Sequence, residues 1–151
     1  MLMTNPNFVI ICGSRTGSNM LGSAIGSHSQ INWLAEVMIF RKITNSNCST
    51  PEEYLDTYFQ GSGTGVKIAY RNLDYFEDFD QYFHRNNLRV VHLVRCPLQV
   101  ATSYLLASYH NAWKNQSYTD HIELSVQDVL YLAKLYKLRC DHVSYTNCQI
   151  V

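Results

Sequence analysis

The segment that most constrains this chain is Phe8-Val9-Ile10-Ile11-Cys12, followed at once by Gly13-Ser14-Arg15-Thr16-Gly17-Ser18-Asn19. The first part is continuously apolar and rich in β-branched residues. It has no polar side to offer water, so it reads as a strand covered on both faces, the situation of a central strand in a parallel sheet. Beyond the polar turn, Met20, Leu21, Ala24 and Ile25 recur at helical spacing up to about His28. A buried strand that turns tightly into a helix points to an α/β fold. It also aims the unpaired N–H groups of the helix start at the turn.

The rest of the chain continues the alternation. Ile31 to Ala35 is a short apolar stretch, read as a connection that brings Glu36 back toward the mouth of the turn. Asn45 to Thr50 is a polar loop, and Thr50-Pro51-Glu52-Glu53 has the form of a capped helix start. Gly61 to Gly65 ends that helix, and Val66 to Tyr70 is a second strand. Asp74 to Arg85 is helical, with Phe76, Phe79 and Phe83 spaced for core packing. Leu88 to Val94 is a third strand, and Pro97 opens a long helix that runs toward Trp113. Lys114 to Glu123 is a polar loop, Ser125 with Asp128 caps a last helix, and Gln149-Ile150-Val151 is a marginal strand. The pattern predicts one α/β domain over residues 1–151, with a small, mostly parallel sheet flanked by helices and right-handed crossovers.

With 151 residues, 46% hydrophobic and 16% charged, the chain has the composition of one globular domain. Twelve basic residues balance twelve acidic ones. Bulk charge therefore offers no hold on nucleic acid or an anionic membrane, and any anion must be bound by a local site. Cysteines stand at 12, 48, 96, 140 and 148, an odd set without a CxxC pair. Zinc and redox-dithiol chemistry are unsupported, and reduced thiols in a cytoplasmic protein are expected. No apolar run matches a signal sequence or a membrane span.

Two segments carry chemistry. In the turn, Arg15 offers a planar fork of donors, and Thr16, Ser18 and Asn19 add short polar groups. Gly17 lets the backbone approach a ligand closely. Together with the helix start they form a phosphate cradle. This is not a Walker A loop: three residues separate Gly13 from Gly17, and Ser18-Asn19 stands where Lys-Ser/Thr is required. In the second segment, Arg95 lies at the carboxyl edge of a buried strand, where ligands bind in open α/β sheets. Ser103 follows eight residues later, within the next helix.

Taken together, these segments resemble sulfotransferases that use 3′-phosphoadenosine 5′-phosphosulfate (PAPS). Arg15-Thr16-Gly17-Ser18-Asn19-Met20-Leu21 matches the family's 5′-phosphosulfate loop, R-S-G-S/T-T-x-L. Arg89 to Ser103 matches its 3′-phosphate motif, with the arginine-to-serine spacing intact. The bacterial carbohydrate sulfotransferases related to the trehalose enzyme are the most similar subgroup, through Ala35-Glu36-Val37, Gly65-Val66-Lys67 and Trp113. The resemblance covers residues 8 to about 113. It departs at Cys96-Pro97 and in length, the family being longer. A minimal enzyme, a truncated one, and a site completed by a second copy in a homo-oligomer are all open.

The resemblance implies a P-loop-like three-layer domain and sulfuryl transfer from PAPS, as co-substrate and without a metal, to a hydroxyl-bearing small molecule or glycan. In that scheme Arg15 neutralises charge on the transferring group, while Thr16, Gly17, Ser18 and Asn19 hold the phosphosulfate. Arg95 and Ser103 hold the 3′-phosphate. Glu36 is the candidate base and His110 its alternative. Lys67, His110 and Trp113 line the acceptor side, with Trp33 a further stacking candidate. Two other readings remain: a non-catalytic nucleotide-binding relic of the fold, and a small P-loop-like kinase.

Overall fold

The computed structural model describes residues 5–110, 122–143 and 148–150. The strands are β1 (Phe8–Cys12), β2 (Asn32–Glu36), β3 (Thr64–Ala69), β4 (Arg89–Leu93) and β5 (Cys148–Ile150). The helices are α1 (Ser18–Gly26), α2 (Phe40–Thr44), α3 (Pro51–Asp56), α4 (Tyr70–Leu73), α5 (Phe79–Arg85), α6 (Pro97–Tyr109) and α7 (Val126–His142). The strands pair in parallel in the order β2-β3-β1-β4, with β5 joining β4. This is an α/β fold with a parallel sheet flanked by helices.

The apolar run of β1 lies between β3 and β4, and Val9, Ile10 and Ile11 are fully buried. Its register places Val9 beside Val66 and Val90, and Ile11 beside Ile68 and His92. Alternate residues share a face, so this side of the sheet carries the main apolar cluster, completed by Leu55, Phe83, Val100 and Tyr136. Phe76, Phe79 and Phe83 join or pack against this cluster, as their spacing predicts. On the opposite face, Phe8 stacks on Trp33 with ring centroids 6.1 Å apart. Trp33 is thereby occupied in packing.

Three boundaries differ from the sequence expectation. The Ile31–Ala35 connection is the edge strand β2. The segment Asp74 to Arg85 is helical only from Phe79, because Asp78 caps that helix by accepting from the Gln81 N–H at 2.9 Å. The second strand runs Thr64–Ala69, and Tyr70 already starts α4. The other caps form as expected: Thr50 accepts from Glu53 N–H at 3.1 Å, and Ser125 from Asp128 N–H at 3.3 Å. Among the described residues no helix is long and apolar enough to cross a membrane.

The connectivity fixes where a ligand would sit. From β1 the chain crosses to β2 at one edge, and from β4 it leaves for β5 at the other. The carboxyl ends of β1 and β4 therefore flank a topological switch point, the preferred ligand crevice of such sheets.

Candidate functional site

The turn after β1 is shaped by two residues in the left-handed region, Arg15 at φ 64° and Gly17 at φ 92°. A residue with a Cβ is strained there, and such strain gathers at functional turns. Gly17 is the N-cap of α1, and no side chain caps that helix start. The first N–H groups of α1 thus point at the turn without a side-chain acceptor, and no acidic residue lies in the first turn to compete with an anion. A Cβ built on Gly17 would meet nothing within 4 Å, so the mouth of the turn is open.

The remaining loop side chains divide into inward and outward groups. Thr16 is buried and its hydroxyl donates to the Gly13 carbonyl at 3.0 Å, stapling the turn. Ser18 is also buried, within hydrogen-bonding reach of the Cys12 thiol. Burial pushes that thiol's pKa up, which disfavours the thiolate. On one flank of the turn, Arg15 Nε donates to Ser103 Oγ at 3.0 Å, and Arg95 Nη1 donates to the Arg15 carbonyl at 3.1 Å. The two sequence segments, 80 or more residues apart, meet here directly.

On the other flank, Lys67 Nζ donates to Asn19 Oδ1 at 3.0 Å and sits 3.2 Å from Glu36 Oε2. Arg71 Nη2 lies 3.7 Å from Glu36 Oε1. Glu36 reaches this place through a bulge. Trp33 pairs with Gly65 and Glu36 with Lys67, so β2 spends one more residue than β3 between these pairs. Ala35, at φ 57°, absorbs the extra residue. Without the bulge Glu36 would fall on the opposite face of the sheet, away from Lys67.

No protein-family model matches the chain, and no curated protein matches it. The site is therefore described by its own chemistry. Arg15, Arg95 and Lys67 converge around an uncapped helix start, with Glu36 as the carboxylate beside them. Among the described residues, no group of three or more His, Cys, Asp or Glu is placed to hold a metal ion.

Not every expected residue joins this cluster. His110 is the C-cap of α6, seven residues past Ser103, which is roughly 10 Å of helix rise farther from the loop. Trp113 lies outside the described residues. Two contributors were not among the expected residues. Tyr136 of α7 accepts a hydrogen bond from the Arg95 backbone N–H at 3.2 Å. Its ring also lies so close to Gly13 that an added Cβ would come within 2.6 Å of it. Burial pushes the Tyr136 phenol up to about 12, so it stays protonated. Arg71 is the other; its position just past the carboxyl end of β3 was the available clue.

Proposed function

We propose that this chain transfers a sulfuryl group from PAPS to a hydroxyl acceptor, within a P-loop-like three-layer domain. The observation that carries this reading is the direct Arg15–Ser103 hydrogen bond with Arg95 on the Arg15 carbonyl. It brings the turn after β1 together with Arg95 and Ser103, which supports a ligand that carries both a 5′- and a 3′-phosphate. The uncapped start of α1 and the open mouth at Gly17 fit a phosphosulfate group.

The acceptor oxygen attacks sulfur in line, forming a new S–O bond. The bond from sulfur to the bridging oxygen of the 5′-phosphate breaks, and adenosine 3′,5′-bisphosphate leaves. Arg15 and the helix start offset the charge that grows on the leaving oxygens, and Lys67 faces the sulfonate. Glu36 takes the acceptor's proton, held in place by Lys67 and Arg71. The resemblance favours a carbohydrate as acceptor.

The decisive measurement is calorimetry of adenosine 3′,5′-bisphosphate and of AMP on wild type and Arg95→Ala. A charge-assisted hydrogen bond contributes about 1.5–3 kcal/mol, so the variant should lose roughly ten-fold or more in affinity for the bisphosphate and much less for AMP. Equal losses for the two ligands would remove the 3′-phosphate assignment. Tight bisphosphate binding without turnover on any acceptor would instead mark a non-catalytic binder.

A further inference from the structure

We propose that Tyr136 of α7 is a positioning residue for Arg95, and that it sets how strongly the crevice distinguishes a nucleotide with a 3′-phosphate from one without. This role rests on the sulfuryl-transfer reading, in which Arg95 holds that phosphate. It belongs to a residue 41 positions from Arg95 in the chain and outside both anion-binding segments.

The Arg95 backbone needs support from elsewhere in the fold. The ladder between β4 and β1 ends at Leu93, opposite Cys12. Cys96 enters α6 as its N-cap without a side-chain hydrogen bond, and Pro97 follows with no N–H to offer. Arg95 thus stands past the bonds of the strand and before those of the helix. Tyr136 Oη takes up its partly buried N–H at 3.2 Å. A backbone N–H withdrawn from water without an acceptor is costly, so this hydroxyl fixes where the segment runs.

Tyr136 is itself held in place. It is 8% exposed, and its ring lies against Gly13, where an added Cβ would come within 2.6 Å of it. On another side it meets the Tyr70 ring at 5.9 Å, and the Tyr70 hydroxyl is 2.7 Å from His92 Nε2 on β4. One side chain therefore touches the turn after β1 with its ring and the Arg95 backbone with its hydroxyl. The guanidinium is oriented by two further bonds, Nε to Gln99 Oε1 at 3.2 Å and Nη1 to the Arg15 carbonyl at 3.1 Å. Both reach out from a Cα that Tyr136 places. If the segment shifts, the planar fork is misdirected, and a fork binds phosphate well only when aligned. A residue that merely packed α7 would affect all nucleotides alike.

The test is calorimetry of adenosine 3′,5′-bisphosphate and of AMP on wild type, Tyr136→Phe, Arg95→Ala and the double variant. Phenylalanine keeps the ring against Gly13 and Tyr70 and removes only the hydroxyl, so the fold is retained. Tyr136→Phe should weaken the bisphosphate roughly three- to ten-fold, the loss expected for one hydrogen bond, and AMP by less than about two-fold. In the Arg95→Ala background the same substitution should cost the bisphosphate almost nothing further, because the group being positioned is gone. Val143→Ala truncates a core residue at the end of α7 and serves as the structural comparison. It should lower stability to urea and leave the ratio of the two affinities at its wild-type value. Equal losses of both nucleotides in Tyr136→Phe, no loss at all, or a full further loss in the Arg95→Ala background would each overturn the positioning role. So would a Val143→Ala variant that shifted the ratio as much as Tyr136→Phe. In all these cases a selective loss in Arg95→Ala would still uphold the 3′-phosphate reading. If Arg95→Ala itself failed to separate the two nucleotides, that reading would fall, and the role of Tyr136 with it.

Discussion

Glu36 and Lys67 illustrate how much depends on the placement of single side chains. The pair at 3.2 Å is partly buried, so its attraction is screened less than that of a surface pair. Lys67 simultaneously holds Asn19 of the first helical turn, which ties the carboxylate to the cradle. Glu36→Gln keeps the shape and removes the basicity. We expect transfer to slow by about 10²–10⁴-fold in kcat, the usual contribution of general-base assistance, with bisphosphate affinity little changed. Steady-state kinetics on the best acceptor, paired with calorimetry, checks both halves. A variant that turns over at the wild-type rate would reduce Glu36 to an anchor for Lys67.

At the scale of elements, the bulge in β2 decides the site. Ala35 sits at φ 57°, where a Cβ is crowded against the backbone and glycine is not. Ala35→Gly should therefore stabilise the fold by roughly 0.5–1 kcal/mol, and Ala35→Val should destabilise it. Urea unfolding measures both, and a stability loss for the glycine variant would contradict the strain argument. The same strand marks the limit of what the sequence revealed. The strand β1, its loop and α1 were legible because a fully buried strand has a continuous apolar pattern. The helix starts at Pro51 and Val126 were legible from their caps, and the one at Pro97 from the proline itself. The edge strand β2 is half-exposed and bulged, so Asn32 to Glu36 shows no period of two. Two separate motifs pointed to the turn after β1 and to Arg95 with Ser103; the direct Arg15–Ser103 hydrogen bond was not legible in either. Tyr136, by contrast, reaches Gly13 and Arg95 through tertiary packing of α7, which leaves no local mark.

For the molecule as a whole, one buried polar group links the core to the crevice. His92 is 3% exposed on β4, inside the apolar cluster, and its Nε2 lies 2.7 Å from the Tyr70 hydroxyl. Tyr70 and Tyr136 rings are 5.9 Å apart, and both touch the space beside Gly13. Burial lowers the His92 pKa from its ordinary value of 6.5. The native state therefore binds this proton less readily than the unfolded chain. Well above pH 6.5 both states hold a neutral imidazole and this group adds no pH dependence. As the pH falls below that value, the unfolded chain takes up the proton first and stability declines, until the lowered native pKa is passed. The slope from this one group is at most about 1.4 kcal/mol per pH unit. His92→Gln removes the titration while keeping a hydrogen-bonding partner for Tyr70. We expect wild type to lose more stability than the variant between about pH 7 and pH 5.5, carboxylates and other histidines being common to both. Urea unfolding at matched ionic strength gives the comparison. Parallel stability curves would mean that the core admits the imidazolium without penalty, and that His92 does not tie the crevice's floor to pH.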